Sequence, residues 1–113
     1  MKLIRIDPKI KIDVFSVPNN VLTGQPETGA ANFYSDKGGK FHCGIWQSSP
    51  GKWRIEYTEE EFCLLIEGEA ILTSDAGHQE RFKEGDAFVI PSGFKGTWET
   101  INDLRKYYVI LEG

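Results

Sequence analysis

The chain has 113 residues, which suits one compact domain and leaves little room for a second hydrophobic core. Its 17 acidic and 13 basic residues give a formal net charge of −4, which argues against a nucleic-acid-binding surface. No apolar run approaches the roughly 18 residues of a membrane-spanning helix. Residues 1–15 carry charges throughout and lack the apolar stretch of a secretory signal, so we expect a cytoplasmic protein that does not associate with membranes.

The N-terminal part of the chain is predicted to be a largely irregular arm. Residues 10–15 alternate apolar and polar side chains, which is typical of a half-buried strand. Glycine and proline recur over residues 23–40, which predicts a long loop with at most one helical turn near residues 30–33. We expect residues 1–41 to pack, as a strand and arm, on a barrel core formed by residues 42–113.

From residue 42 onward the pattern is that of short β-strands separated by turns. Strands are predicted at residues 42–47, 53–57, 61–66, 70–73, 78–82, 87–90, 96–101 and 105–111. They recur at intervals of about eight to twelve residues, which is typical of a sandwich or barrel. No helical pattern lies between them. We therefore predict an all-β fold, an antiparallel jelly-roll β-barrel with an irregular N-terminal arm.

Two segments resemble the paired motifs of the cupin superfamily. Residues 61–68 read E-F-C-L-L-I-E-G and are similar to the end of the first motif, where an acidic residue precedes a turn glycine by seven positions. Residues 85–93 read G-D-A-F-V-I-P-S-G and are similar to the second motif, in which Gly-Asp opens a strand that ends in P-x-G. The resemblance implies a cupin (RmlC-like) barrel with a pocket in its mouth.

A wider set of residues resembles one subgroup of small single-domain cupins. It comprises W-x-S-S-P-G-K-W-R-I-E-Y at 46–57, the first motif, G-D-A-F-V-I-P-S-G-F-K-G-T-W at 85–98, and R-K-Y-Y at 105–108. These stretches are similar to those of the (S)-ureidoglycine aminohydrolase and ethanolamine-utilisation cupin domains. Because such barrels are often dimeric, the resemblance implies a homodimer.

Most catalytic cupins hold a metal ion through two histidines in H-x-H, the glutamate of the first motif and a histidine of the second motif. In this sequence the first two positions hold Ile55 and Tyr57, or Arg54 and Glu56 if the spacer is one residue longer. The last position holds Gly96, so only Glu61 remains of the four ligands. We therefore predict no metal and no other cofactor, since such a site needs several converging donors.

The remaining histidines and cysteines offer only a weak alternative. His78 is predicted to lie in a solvent-exposed hairpin turn, whereas His42 begins a strand and could point inward. With no export signal, Cys43 and Cys63 are predicted to be reduced thiols rather than a disulfide. A weak divalent-metal site using His42, Cys43, Glu61 or Cys63 is the alternative that remains.

Strand alternation predicts which side chains face the barrel interior. Glu61, Cys63 and Leu65 share one face, and Gly96, Trp98 and Thr100 share another. The candidate catalytic residues are Glu61 and Tyr57, and the candidate ligand-binding residues are Trp46, Cys63, Trp98 and Lys106. Several of these residues also have a structural interpretation: the tryptophans as core, Glu61 as a carboxylate satisfied by the backbone or by Lys106, and Lys106 as a surface charge.

Four functions stay open on these grounds. The first is a binding protein for a small polar metabolite. The second is an enzyme like the ureidoglycine aminohydrolase or ethanolamine-utilisation cupins, with Glu61 as general acid or base and Tyr57 assisting. The third is a metal-free sugar-nucleotide isomerase with His42 as its base. The fourth is a dimerising module whose pocket is filled by tryptophans.

Overall fold

The computed structural model describes all 113 residues, which form eight β-strands and no helix. The strands are β1 (Val21–Gly24), β2 (Thr28–Ser35), β3 (Phe41–Ser48), β4 (Gly51–Glu56), β5 (Glu60–Ser74), β6 (Gln79–Lys83), β7 (Ala87–Ile90) and β8 (Lys95–Leu111). Long apolar helices of the kind that cross membranes are absent from the structure.

Two long strands, β5 and β8, form an antiparallel ribbon on which the rest of the fold is built. The first half of β8 pairs with β4 and its second half pairs with β3. The first half of β5 pairs with β7 and its second half with β6. The ribbon thus takes part in two layers, β1-β4-β8-β5-β6 and β2-β3-β8-β5-β7. This antiparallel all-β arrangement is the jelly-roll that the strand spacing predicts.

The ribbon bends where it passes from one layer to the other. The register between β5 and β8 shifts at Glu67 and again at Glu69. Between them Gly68 has a φ of 85°, and a Cβ atom there would collide with the carbonyl oxygen of Asp103. Residues 67–69 are therefore a bulge inside one strand, and the predicted turn between strands 61–66 and 70–73 is wrong.

The same error affects the last strand. The segments 96–101 and 105–111 were predicted as separate strands, but both belong to β8. Polar residues at a bulge resemble a turn in sequence because both interrupt the alternation of apolar side chains.

The predictions for the N-terminal segment need two corrections. Residues 10–15 form no strand, and only Ser16 nearby makes an isolated bridge, to Thr28. Residues 23–40 are not one long loop with a helical turn, because they contain all of β2 and the end of β1. Pairing with β3 stabilises β2 despite its glycine and alanines, so tertiary context outweighs local preference.

The hydrophobic core lies between the two layers. It consists of Trp53, Cys63, Leu65, Ala70, Leu72, Ile90, Trp98 and Leu104. Glu61, Cys63 and Leu65 are all at most 4% exposed, which confirms the predicted inward face of β5. Gly96, Trp98 and Thr100 are likewise buried on β8. The buried charged residues Glu61 and Lys106 also face this interior.

The bend at Gly68 yields a stability prediction. We expect Gly68→Ala to lower the free energy of unfolding by about 3 kcal/mol, because the new Cβ meets backbone and the positive φ is strained. Gly77→Ala is the matched control, since Gly77 has a φ of 92° but open space around it. It should cost only about 1 kcal/mol. Urea unfolding measures both, and equal losses would contradict the role given to the bulge.

Candidate functional site

A cavity of about 550 Å³ opens between the two layers. Its walls come from β2, β3, β4, β5, β8 and the segment between β4 and β5. The predicted residues Trp46, Tyr57, Glu61, Trp98 and Lys106 all line it. A volume of this size suits a small-molecule ligand. The strand alternation that directs these side chains inward thus places them around one space.

Lys106 forms the floor of the cavity, where only 3% of the residue is exposed. Its Nζ donates to Glu61 Oε2 at 2.9 Å and to Cys63 Sγ at 3.3 Å. The ammonium also lies 4.6 Å from the ring centroid of Trp46 and 4.5 Å from that of Trp98. A buried ammonium costs little only when it is paired, and this one has a carboxylate and two aromatic faces.

Glu61 connects this cation to a phenol. The carboxylate is 4% exposed, and its Oε1 accepts a hydrogen bond of 2.6 Å from the Tyr57 hydroxyl. Burial, with the Glu61 carboxylate, raises the pKa of Tyr57 far above its ordinary value. Tyr57 therefore keeps its proton at neutral pH and acts as a hydrogen-bond donor.

The thiol and the ammonium of the site are held in their protonated forms. Burial raises the pKa of the Cys63 thiol to about 11, although Lys106 opposes the effect. Burial disfavours the ammonium of Lys106, but the charge of Glu61 and the hydrogen bonds to Glu61 and Cys63 outweigh it, so the pKa of Lys106 is raised. Cys63 is thus a neutral thiol, which removes it as a nucleophile at neutral pH.

Three tryptophans form the aromatic wall. Trp46 meets Trp98 edge-on with centroids 5.4 Å apart, and Trp53 stacks on Trp98 at 6.4 Å. The Trp98 indole donates to Thr100 Oγ1 at 2.9 Å, and that hydroxyl donates to Ser48 Oγ at 3.0 Å. These buried hydrogen bonds fix the orientation of the ring beneath Lys106.

His42 lines the cavity, but both of its ring nitrogens have partners. Nε2 donates to the carbonyl of Gly39 and to Glu112 Oε2, at 3.0 and 2.9 Å. Nδ1 then accepts from the Ser35 hydroxyl, 2.7 Å away. Its imidazole is therefore engaged in holding the start of β3 to the C-terminal end of the chain.

The residues at the cupin metal positions do not fit a transition metal. Both oxygens of Glu61 are occupied, and the Lys106 ammonium lies on one of them. A Cβ atom on Gly96 would collide with the carbonyl oxygen of Thr73, so no ligand side chain fits there. The alternative donors, His42, Cys43, Glu61 and Cys63, do not gather, and no three acidic, histidine or cysteine residues form a metal-binding group.

The structure adjusts the predicted set of site residues. Cys63 is fully buried and does not line the cavity; its sulfur accepts a hydrogen bond from Lys106 beneath it. Lys106 is buried rather than a surface charge, and the alternative in which it pairs with Glu61 is confirmed. His78 is exposed, as predicted.

Other lining residues were not identified from the sequence. Glu59 lies between β4 and β5, is half-buried and lines the cavity. Thr28, Ala30 and Asn32 line it from β2, the strand that was interpreted as a loop. Their alternate spacing was the only local signal for that strand.

The comparisons with known proteins agree with this architecture. The family model described as the EutQ-like cupin domain matches residues 35–108. The sequence matches no curated protein.

Several solved structures resemble the fold. A protein of unknown function from Pseudomonas syringae pv. tomato has a TM-score of 0.82 and 21% identity over 93% of this chain. The EutQ protein of Clostridium difficile has a TM-score of 0.69 and 17% sequence identity over 78% of this chain. A putative ethanolamine utilization protein Q from Salmonella typhimurium has a TM-score of 0.69 and 20% sequence identity over 86% of this chain. The chain spans 46%, 64% and 77% of their respective lengths. At these identities the likeness concerns the fold.

Removing the ammonium at the floor should destabilise the protein strongly. We expect Lys106→Met to lower the free energy of unfolding by about 3–5 kcal/mol, because it leaves Glu61 buried and unpaired. Adding Glu61→Gln should recover part of the loss, with a coupling of about 1–3 kcal/mol. Lys95→Met, at an exposed lysine of the same strand, is the control. Denaturant unfolding of the wild type, of Lys106→Met and Glu61→Gln alone, of the double variant and of Lys95→Met gives these values, and strictly additive losses of the two single variants would rule out the pair.

Proposed function

The chain belongs to the family of EutQ-like cupin domains, and we propose that it is a cytoplasmic, homodimeric protein that binds a small polar metabolite in its barrel mouth without the usual cupin metal. The observation that carries the proposal is the cavity of about 550 Å³ whose floor is a buried, internally neutralised ion pair. Aromatic walls with a few oriented polar groups are the common composition of ligand sites.

The arrangement of the floor supports binding without a metal. In metal-dependent cupins a cation organises the carboxylate of the first motif, and here the ammonium of Lys106 takes that electrostatic role. Tyr57 and Lys106 hold both oxygens of Glu61, so the carboxylate is rigid before any ligand arrives. A preorganised site loses less entropy when it binds its ligand.

An enzyme is the second candidate, favoured by the short contact between Tyr57 and Glu61. Glu61 would act as the general base and then the general acid: it would take a proton from the water that attacks a bound ureide or amine and return it to the leaving nitrogen. Tyr57, which keeps its proton and donates a hydrogen bond of 2.6 Å to Glu61 Oε1, would assist by orienting the carboxylate. This is the aminohydrolase-like alternative.

Two other hypotheses receive less support. An isomerase base at His42 would have to break the contacts of both ring nitrogens. A module whose pocket is filled by tryptophans does not account for the space that remains beside Trp46.

The outer face of the β2-β3-β8-β5-β7 layer supports the homodimer. Tyr34, Phe41, Phe62, Val89 and Leu111 are each between 37% and 61% exposed there. Phe62 pairs with Val89, and Phe41 pairs with Leu111, so these side chains form adjoining rows. An apolar face can meet a second copy of itself across a two-fold axis without opposing like charges.

A ligand screen tests the binding proposal. We expect a member of a library of ureides, amino alcohols, sugars and nucleotide sugars to raise the melting temperature, because binding to the native state stabilises it by mass action. Trp46→Leu should abolish the shift, whereas Leu22→Ala, at an exposed residue of β1, should not.

Two further readouts distinguish the candidates. Elemental analysis that finds near-stoichiometric Mn, Fe, Ni or Zn would contradict the metal-free site. Consumption of the ligand, lost in Glu61→Gln and Tyr57→Phe while binding persists, would favour the enzyme. If no compound of the library raises the melting temperature in a way that Trp46→Leu abolishes, both the binding function and the enzyme are contradicted.

The oligomeric state is a separate prediction. We expect light scattering after size exclusion to give twice the mass of one chain, and Phe62→Lys to give a monomer, because it buries a charge in the apolar face. Leu22→Lys, the same change in the other layer, should stay dimeric. A monomeric wild-type protein, or a dimer unaffected by Phe62→Lys, would refute the proposed interface.

A further inference from the structure

The charges that line the cavity do not cancel. Lys106 is matched by Glu61 at 2.9 Å, which leaves the floor neutral. Glu59 also lines the cavity, and its carboxylate belongs to none of the ion pairs, which engage other residues. The wall of the site thus carries one carboxylate that has no salt-bridge partner.

Glu59 and the phenol of Tyr57 line the same cavity. The two residues are two positions apart in the segment between β4 and β5. The charge of Glu59 is a minor cause of the raised pKa of Tyr57, after burial and Glu61. Glu59 is half-buried while Glu61 is 4% exposed, so Glu59 is the more solvent-accessible of the two carboxylates that line the cavity.

The cavity that Glu59 lines has largely aromatic walls. Trp46 is half-buried and Tyr57 lies two residues from Glu59, and both line the same cavity. Aromatic faces next to a carboxylate attract cations, because the ring quadrupole and the anion act in the same direction. Lys106 already uses this effect against Trp46 and Trp98 at the floor.

An anionic ligand finds no comparable partner. Lys106 is the only cationic side chain among the lining residues apart from the imidazole of His42. Its donors are directed to Glu61 and Cys63, and only 3% of the residue is exposed. The nitrogens of His42 are engaged by Ser35, Gly39 and Glu112.

We propose that the cavity takes a small organic cation, a primary or substituted amine with an apolar body, whose charged group lies against Glu59 and whose body packs on Trp46 and Tyr57. This deepens the binding function proposed above and rests on it. The ligand charge is set by Glu59, while the buried pair of Lys106 and Glu61 supplies a neutral floor.

A matched set of compounds tests this inference on the full chain. Benzylammonium, benzyl alcohol and benzoate have similar size and differ in charge, and calorimetry or tryptophan fluorescence measures their dissociation constants at neutral pH. We expect benzylammonium to bind at least about tenfold more tightly than the other two, with an affinity that falls as salt is added. Glu59→Gln should lower the preference for benzylammonium over the other two compounds about tenfold, because it deletes the charge of the side chain and keeps its shape.

Glu60→Gln is the control, because Glu60 is the exposed neighbour of Glu59 and does not line the cavity. It should leave the preference unchanged, and circular dichroism checks that both variants are folded. Equal or tighter binding of the alcohol or benzoate, lost in Trp46→Leu, would overturn the cation inference and leave the binding function standing. A preference that survives Glu59→Gln, or binding of none of the three, would also overturn it, while the library screen judges the binding function independently.

Discussion

The buried contact between Lys106 and Glu61 is the interaction on which the site depends. A charged pair that is almost fully removed from water is stable only if each ion is matched and further hydrogen bonded. Tyr57 and Cys63 complete the matching, and two tryptophan faces enclose the ammonium. The orientation of Trp98 is in turn fixed by Thr100 and Ser48, so the floor of the cavity and its aromatic wall form one hydrogen-bonded unit.

The same ion pair determines the charge at the floor of the cavity. An ammonium beside the first-motif carboxylate fills the electrostatic place of a divalent cation, and the backbone of Thr73 closes the position of the last ligand at Gly96. The cavity above this neutral floor is also lined by Glu59, Trp46 and Tyr57, which are half-buried. The function proposed for this cavity, binding without a metal, therefore rests on the charge and shape of its lining.

Errors in the sequence-based predictions share one cause. The bulge at Gly68 lies inside β5 but resembles a turn, because a break in alternation has the same local appearance in both cases. The sequence of β2 resembles that of a loop, because its glycine and alanines have a low preference for strands. The strand is stabilised by its pairing with β3, which its own residues do not reveal. Residues 10–15 alternate like a strand, yet no neighbouring strand pairs with them. Strand pairing, not alternation alone, separates these cases.

The sequence by itself determined the all-β class, the inward face of Glu61, Cys63 and Leu65, and five of the six candidate residues that line the cavity, because a period of two along a strand is a local property. Only the tertiary structure decided which charges meet. Lys106 lies beside Trp46 on β3 and Leu65 on β5, and this register brings its ammonium to Glu61, which is 45 residues away in the chain. The position of Glu59 at the cavity wall and the closure of Gly96 by Thr73 follow from the same long-range packing, which no local pattern encodes.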